Sequence, residues 1–224
     1  MINDSLVRAT PWDVRAFGFP CWEILQYTEE ALSFALRHPG HFTIKVDPTV
    51  DKKLLHDNGF YYCDTLIEPL CRVTQFREVH NSGATISRDF DRDSLLAICK
   101  GAFVHGRFHR DFNLPIDRSD VRYTNWLDQL IVQKQVFSLN WQGGLGGFIG
   151  YDANTLVLHA VDRSLRGRGL SKYWWSAVCR VLFDEGLEEI RSSISAANLP
   201  VLNLYASIGF RFHNPMDVYH RLAL

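Results

Sequence analysis

The chain has 224 residues, 24 Lys and Arg against 25 Asp and Glu, a formal net charge of -1, and 46% hydrophobic residues. That balance belongs to a globular protein of one large domain or two small ones, and it excludes bulk electrostatic attraction to nucleic acid or to an anionic membrane. The chain has no run of eighteen apolar residues, and residues 1–13 have no apolar stretch of the signal-peptide kind, so neither a membrane span nor a leader is expected. Five cysteines (Cys21, Cys63, Cys71, Cys99, Cys179) form an odd set without Cys-x-x-Cys spacing. They read as reduced, mostly buried thiols of a cytoplasmic protein. The nine histidines do not group with them in sequence, and no metal site is expected.

Taken in chain order, residues 41–46 alternate as a strand, residues 51–58 form a short helix closed by Gly59, and residues 60–67 return as a strand. Apolar density falls between Gln75 and Ser82, dividing the chain into 1–80 and 81–224. The spacing of Leu95, Leu96, Ile98, Ala102 and Phe103 predicts a helix over 91–103. A second helix spans 119–133 with Ser119 as its N-cap. Strands follow at 136–140, 147–151 and 155–161, separated by Gly143-Gly144 and by residues 152–154. A helix over 171–185 ends at Gly186, a strand covers 188–195, and a last helix covers 200–208 with Pro200 in its first turn. This order predicts an α/β protein with a mixed sheet flanked by helices. Residues 42–60 and 192–210 share one pattern, a weak internal repeat that aligns Gly59-Phe60 with Gly209-Phe210 and sets Leu55 opposite Tyr205.

The most informative stretch is Val161-Asp162-Arg163-Ser164-Leu165-Arg166-Gly167-Arg168-Gly169-Leu170-Ser171, between a strand and a helix. The first amides of a helix lack internal acceptors, and the helix dipole adds partial positive charge there. Gly167 and Gly169 let the backbone approach a phosphate closely, and Arg166 and Arg168 add cationic donors. The spacing is neither Gly-x-x-x-x-Gly-Lys-Ser/Thr nor Gly-x-Gly-x-x-Gly, since Lys172 stands where the latter needs glycine.

Downstream lies Asn198, then Leu204-Tyr205, then Gly209-Phe210. The two motifs, in this order and with this gap, resemble the GNAT N-acetyltransferase superfamily over about residues 85–212. The resemblance implies a GNAT domain over 81–224 and a half-GNAT-like piece over 1–80 that extends the sheet and walls the acceptor pocket. It implies acetyl-coenzyme A or another acyl-coenzyme A as co-substrate, its pyrophosphate held by Arg166, Gly167, Arg168, Gly169, Leu170 and Ser171. It implies Tyr205 as the acid that protonates the departing thiolate, and a backbone amide near Ala160 and Val161 as the group that polarises the carbonyl. Asn198 either bonds the pantetheine arm or caps the following helix. Arg163 stands where proline is usual in this family, and Ser171 where glycine or alanine is usual.

A narrower resemblance, carried by Ala102-Phe103, Gly106-Arg107-Phe108-His109, Tyr123, Trp126, Pro11-Trp12-Asp13 and Phe17-Gly18, is to bacterial acyltransferases of dTDP-linked amino-dideoxyhexoses, the dTDP-fucosamine acetyltransferases among them. It implies Asp64, four residues after Phe60, as the base acting through water, with Asp in place of the usual Glu. The same Asp64 also reads as a surface acid at a strand end, and no base is needed if the amine binds neutral. Arg107 could clamp a nucleotide diphosphate, His109 or Asp111 could bond sugar hydroxyls or the amine, and Tyr123 could stack on a thymine or sugar face. A homodimer is the family expectation. A different small amine, a protein N-terminus, or a non-catalytic acyl-coenzyme A binder are the alternatives.

Overall fold

Pro11 fixes φ at the first helical position and Gly18 ends the helix in the left-handed conformation, so α1 (Pro11–Phe17) sits between β1 (Val7–Ala9) and β2 (Cys21–Ile24). The computed structural model describes residues 5–224, and the first four residues of the segment read for a leader lie outside them. The Thr28 hydroxyl accepts the Ala31 amide at 3.2 Å and starts α2 (Glu29–Arg37). The chain continues as β3 (Gly40–Val46), α3 (Lys53–Asp57), β4 (Tyr61–Arg72) and β5 (Ala84–Ser87). Three helices follow, α4 (Arg92–Cys99), α5 (Arg107–Arg110) and α6 (Ile116–Val132). Next come β6 (Val136–Trp141), β7 (Gly144–Asp152) and β8 (Thr155–Val161), then α7 (Ser171–Asp184), β9 (Glu189–Ser192), β10 (Ile194–Ser195), α8 (Leu199–Ser207) and β11 (Arg211–Ala223).

Three expectations are corrected. The helix read over 91–103 stops at Cys99, because Lys100 is extended and Gly101 takes φ +71°. Ser119 is not an N-cap: α6 starts a turn earlier behind Pro115, and the buried Ser119 hydroxyl donates to the Phe108 carbonyl at 3.0 Å. The strand read over 188–195 bends at Ser193 into β9 and β10.

One mixed sheet carries the described residues, in the order β1-β2-β3-β11-β4-β9-β8-β7-β6-β5, with β10 beside β4. Two pairs are parallel, β2 with β3 and β8 with β9, and the rest are antiparallel. Strand β11 inserts between β3 and β4, so the last strand of the chain completes the sheet of the first eighty residues. Helices α7 and α8 bury Trp174, Trp175, Val178 and Tyr205 against one stretch of this sheet, and α4 and α6 bury Leu95, Leu127 and Leu130 against Phe148 and Leu158. Each such side chain contributes about 1.5–3 kcal/mol. All five cysteines are free and buried, and Trp174 and Trp175 are core residues.

Candidate active site

The site is built around a fork in the sheet. Strands β8 and β9 pair only at Thr155↔Arg191 and Leu156↔Ser192. Beyond that point β9 and β10 stay with β4 in one register, from Leu70↔Arg191 to Ser195↔Leu66, while β8 turns away with β7. The Asp162 amide donates to the Gly146 carbonyl at 2.8 Å, which fixes the phase of the β7–β8 ladder. Alternation then turns the Val161 and His159 amides away from β7 and into the gap. A cavity of about 290 Å³ opens at the vertex, lined by Leu66, Ile67, Thr155, Ser192 and Ser193 among others.

The glycine turn lies at the open end of this fork. The Asp162 carboxylate accepts the Ser164 amide at 2.9 Å, and Arg166 Nε reaches back to the Val161 carbonyl at 2.8 Å. Gly167 at φ +75° and Gly169 at φ +70° occupy the left-handed region that disfavours any side chain. Among the described residues the N–H groups of Gly167, Arg168, Gly169 and Leu170 find no acceptor, and Leu170, at the N-cap of α7, supplies no side-chain cap. Four free amides at a helix N-terminus, with exposed Arg166, Arg168 and Lys172 around them, fit a pyrophosphate. Asn198 accepts the Val201 and Leu202 amides through its carbonyl, but its side chain makes no cap, which leaves the amide group available to a ligand.

Tyr205 is fully buried where α8 meets the fork. Its hydroxyl lies 3.4 Å from His159 Nε2, and burial pushes the phenol well above its usual range, against the influence of Ser192 and Trp175 beside it. Burial likewise pushes His159 down to about 4, so the ring is neutral at neutral pH. Across the fork, Asp64 is not a surface acid but 0% exposed. Its Oδ1 accepts from Arg110 Nη1 and from Ser195 Oγ, both at 2.8 Å, while Oδ2 is buried without a partner among the described residues. Burial raises its pKa, opposed by Ser195 and Arg110. Ser192 lies beside the Tyr205 phenol and Ser195 is bonded to Asp64. Three residues of extended chain span at most about 10 Å, so the two groups flank the same short segment.

The segment 107–123 divides in two. Arg107 is half-buried, its Nε has no partner, and its charge acts on Asp64, Cys63 and His220. His109 Nε2 donates to Asp120 Oδ1 at 3.0 Å, and the ring stacks on Tyr123. Asp111 is engaged inward: His220 Nδ1 at 2.7 Å, His41 Nε2 at 3.2 Å, the Tyr61 hydroxyl at 3.0 Å and the Asn113 amide at 2.9 Å all bond its carboxylate. This buried node, whose His41, Asp111 and His220 ligand atoms lie within 4.8 Å of one another, ties the 107–113 segment to β3, β4 and β11. The sequence reading missed His159, Ser195, His220 and His41. A lone histidine in the apolar strand Leu156-Val157-Leu158-His159-Ala160 was the signal available for the first.

Residues 109–210 match the model of the Acetyltransferase (GNAT) family. Solved structures share the fold. A GCN5-related N-acetyltransferase from Sphaerobacter thermophilus superposes with a TM-score of 0.67 at 12% identity, over 96% of this chain and 75% of that one. A functionally unknown conserved protein from Staphylococcus epidermidis gives 0.63 at 11% identity, over 100% and 94%. A tandem GNAT protein from the clavulanic acid biosynthesis pathway gives 0.56 at 13% identity, over 91% and 75%. No curated protein matches the chain. The solved structures share the GNAT acetyltransferase fold with this chain, and residues 109–210 are the part that matches the family model.

Proposed function

We propose that the chain is an acyl-coenzyme A-dependent N-acyltransferase whose acceptor is the amine of a dTDP-linked amino-dideoxyhexose, with a product destined for surface polysaccharide. The observation that carries the acyl transfer is the fork with its four free amides, Gly167 to Leu170, at one end and the Tyr205 phenol beside it. The sugar acceptor rests on the narrower sequence resemblance and on Arg107, a half-buried guanidinium whose Nε has no partner among the described residues, which suits the diphosphate of such an acceptor and repels a polyamine.

In this reading the free amides hold the pyrophosphate and the Val161 amide polarises the thioester carbonyl. The amine attacks the carbonyl carbon as its proton leaves toward Asp64 Oδ2, directly or through water. The C–S bond then breaks and the Tyr205 proton passes to sulfur. Transfer is direct, since every cysteine thiol is buried and none pairs with a histidine.

The test is release of free thiol from acetyl-coenzyme A and longer acyl-coenzymes A, across a panel of dTDP-amino-dideoxyhexoses with amino acids and polyamines as controls. Turnover confined to one nucleotide sugar is the expected result, and turnover on the control amines alone would overturn the acceptor. Asp64 must be ionised to take the proton. Activity should therefore fall as pH drops through a carboxyl pKa raised above the ordinary value near 3.9, and Asp64→Asn should lose that acid limb together with about 10²-fold in kcat.

A further inference from the structure

After each turnover Tyr205 is a phenolate and must regain a proton, and its surroundings leave one route. The side chain is 0% exposed. The Phe210 ring, centred 4.8 Å away, is apolar. The Trp175 indole has a single nitrogen that can donate but cannot pass a proton on, and that N–H is buried without a hydrogen-bond partner. The Ser192 hydroxyl is buried and already donates to the Leu156 carbonyl at 2.8 Å. Cys179, on α7, is fully buried and its thiol is pushed up by burial. His159 differs from all of these: Nε2 lies 3.4 Å from the phenolic oxygen, the ring has a second nitrogen, and the side chain is only half-buried. Trp175 packs edge-on against the ring, with centroids 4.9 Å apart, and holds it in that position.

We propose that His159 is the proton relay of Tyr205, a positioning residue that acts through the phenol rather than on the substrate. The inference rests on the acyl-transfer reading of the fork. In the transfer step the amine nitrogen–carbon bond forms, the carbon–sulfur bond breaks, and the phenol proton goes to sulfur. In the reset the neutral imidazole gives its Nε2 proton to the phenolate while Nδ1 takes one from water, the amine proton released by Asp64 neutralises the hydroxide left behind, and exchange with water returns the uncharged ring to its Nε2–H tautomer before the next turnover.

The consequence is kinetic. Replacing His159 leaves the first proton in place on Tyr205 and removes only its resupply. Stopped-flow thiol release by His159→Gln should show one equivalent of thiol per site at the wild-type rate, followed by a steady state lower by about 10²-fold, with the KM for acyl-coenzyme A unchanged. His159→Ala should behave alike and regain its steady state when imidazole is added. As a reference, Tyr205→Phe should show no burst. Equal losses in the first and later turnovers of both variants, without rescue by imidazole, would overturn the relay while leaving the acyl-transfer reading intact. A wild-type protein that releases no thiol with any amine would overturn that reading and the relay with it.

Discussion

Residues 21–72 and 155–223 run a similar course twice, β2-α2-β3-α3-β4 and β8-α7-β9-β10-α8-β11, the second adding the two-residue β10. Each begins with a parallel strand pair joined through a helix, and each ends with a short helix that a glycine turns into a long antiparallel strand. The turns match bond for bond. The Phe60 amide donates to the Leu55 carbonyl at 2.9 Å, and the Phe210 amide to the Tyr205 carbonyl at 3.1 Å. Gly59 and Gly209 both take positive φ. Three local features differ. The β2–β3 pair holds from Cys21↔His41 to Ile24↔Ile44, whereas β8 and β9 part after two residues. The N-terminus of α2 is closed by the Thr28 side chain, whereas that of α7 is left open by the glycine turn. Leucine stands in the first copy where tyrosine stands in the second. One scaffold thus serves twice, and the proposed chemistry belongs to what the second copy alone has: a fork, an open helix end and one phenol.

The largest effect should come from erasing the phenol. Tyr205→Phe keeps the packing of the ring against Phe210 and should lower kcat by about 10²–10⁴-fold, with coenzyme A affinity by calorimetry unchanged. The open helix end comes next. Gly169→Ala places a side chain at φ +70°, a strain on the order of 1–3 kcal/mol that should weaken acyl-coenzyme A binding by about tenfold. Acyl-pantetheine, which lacks the pyrophosphate, should bind the variant and the parent alike, and an equal loss for both would remove the cradle from the account. The smallest effect belongs to the first copy. Thr28→Ala removes a cap worth about 1 kcal/mol, to be read as a lowered denaturation midpoint with thiol release unaltered.

In the second copy β8, α7, α8 and the glycine turn were legible in the sequence, because glycine, proline and apolar spacing mark them. The N-terminal elements β1, α1, β2 and α2 escaped, since strands of three and four residues give no periodicity to count. Strand β11 escaped because Asn214 at φ 48° and Pro215 interrupt it between His213 and Met216, where its register with β4 shifts. The glycine turn could be read from residue types alone, since its polar groups face outward. Asp64, Asp111 and His159 could not, because their meaning depends on partners drawn from elsewhere: Ser195 for the first, His41 and His220 for the second, Tyr205 for the third. A charged side chain without its neighbours reads as surface, yet Asp64 and Asp111 are buried.

The two copies also exchange their last strands. β11 lies against β3, β4 lies against β9, and the two meet at the centre of the sheet. During synthesis, then, the first copy waits with two bare strand edges, β3 and β4, until residues 211–223 have left the ribosome. Such edges invite pairing with other chains, and contacts this far apart in sequence form slowly. A nascent chain halted short of residue 211 would therefore present an unfinished sheet in both halves at once, and its failure to mature would have nothing to do with the fork or the phenol.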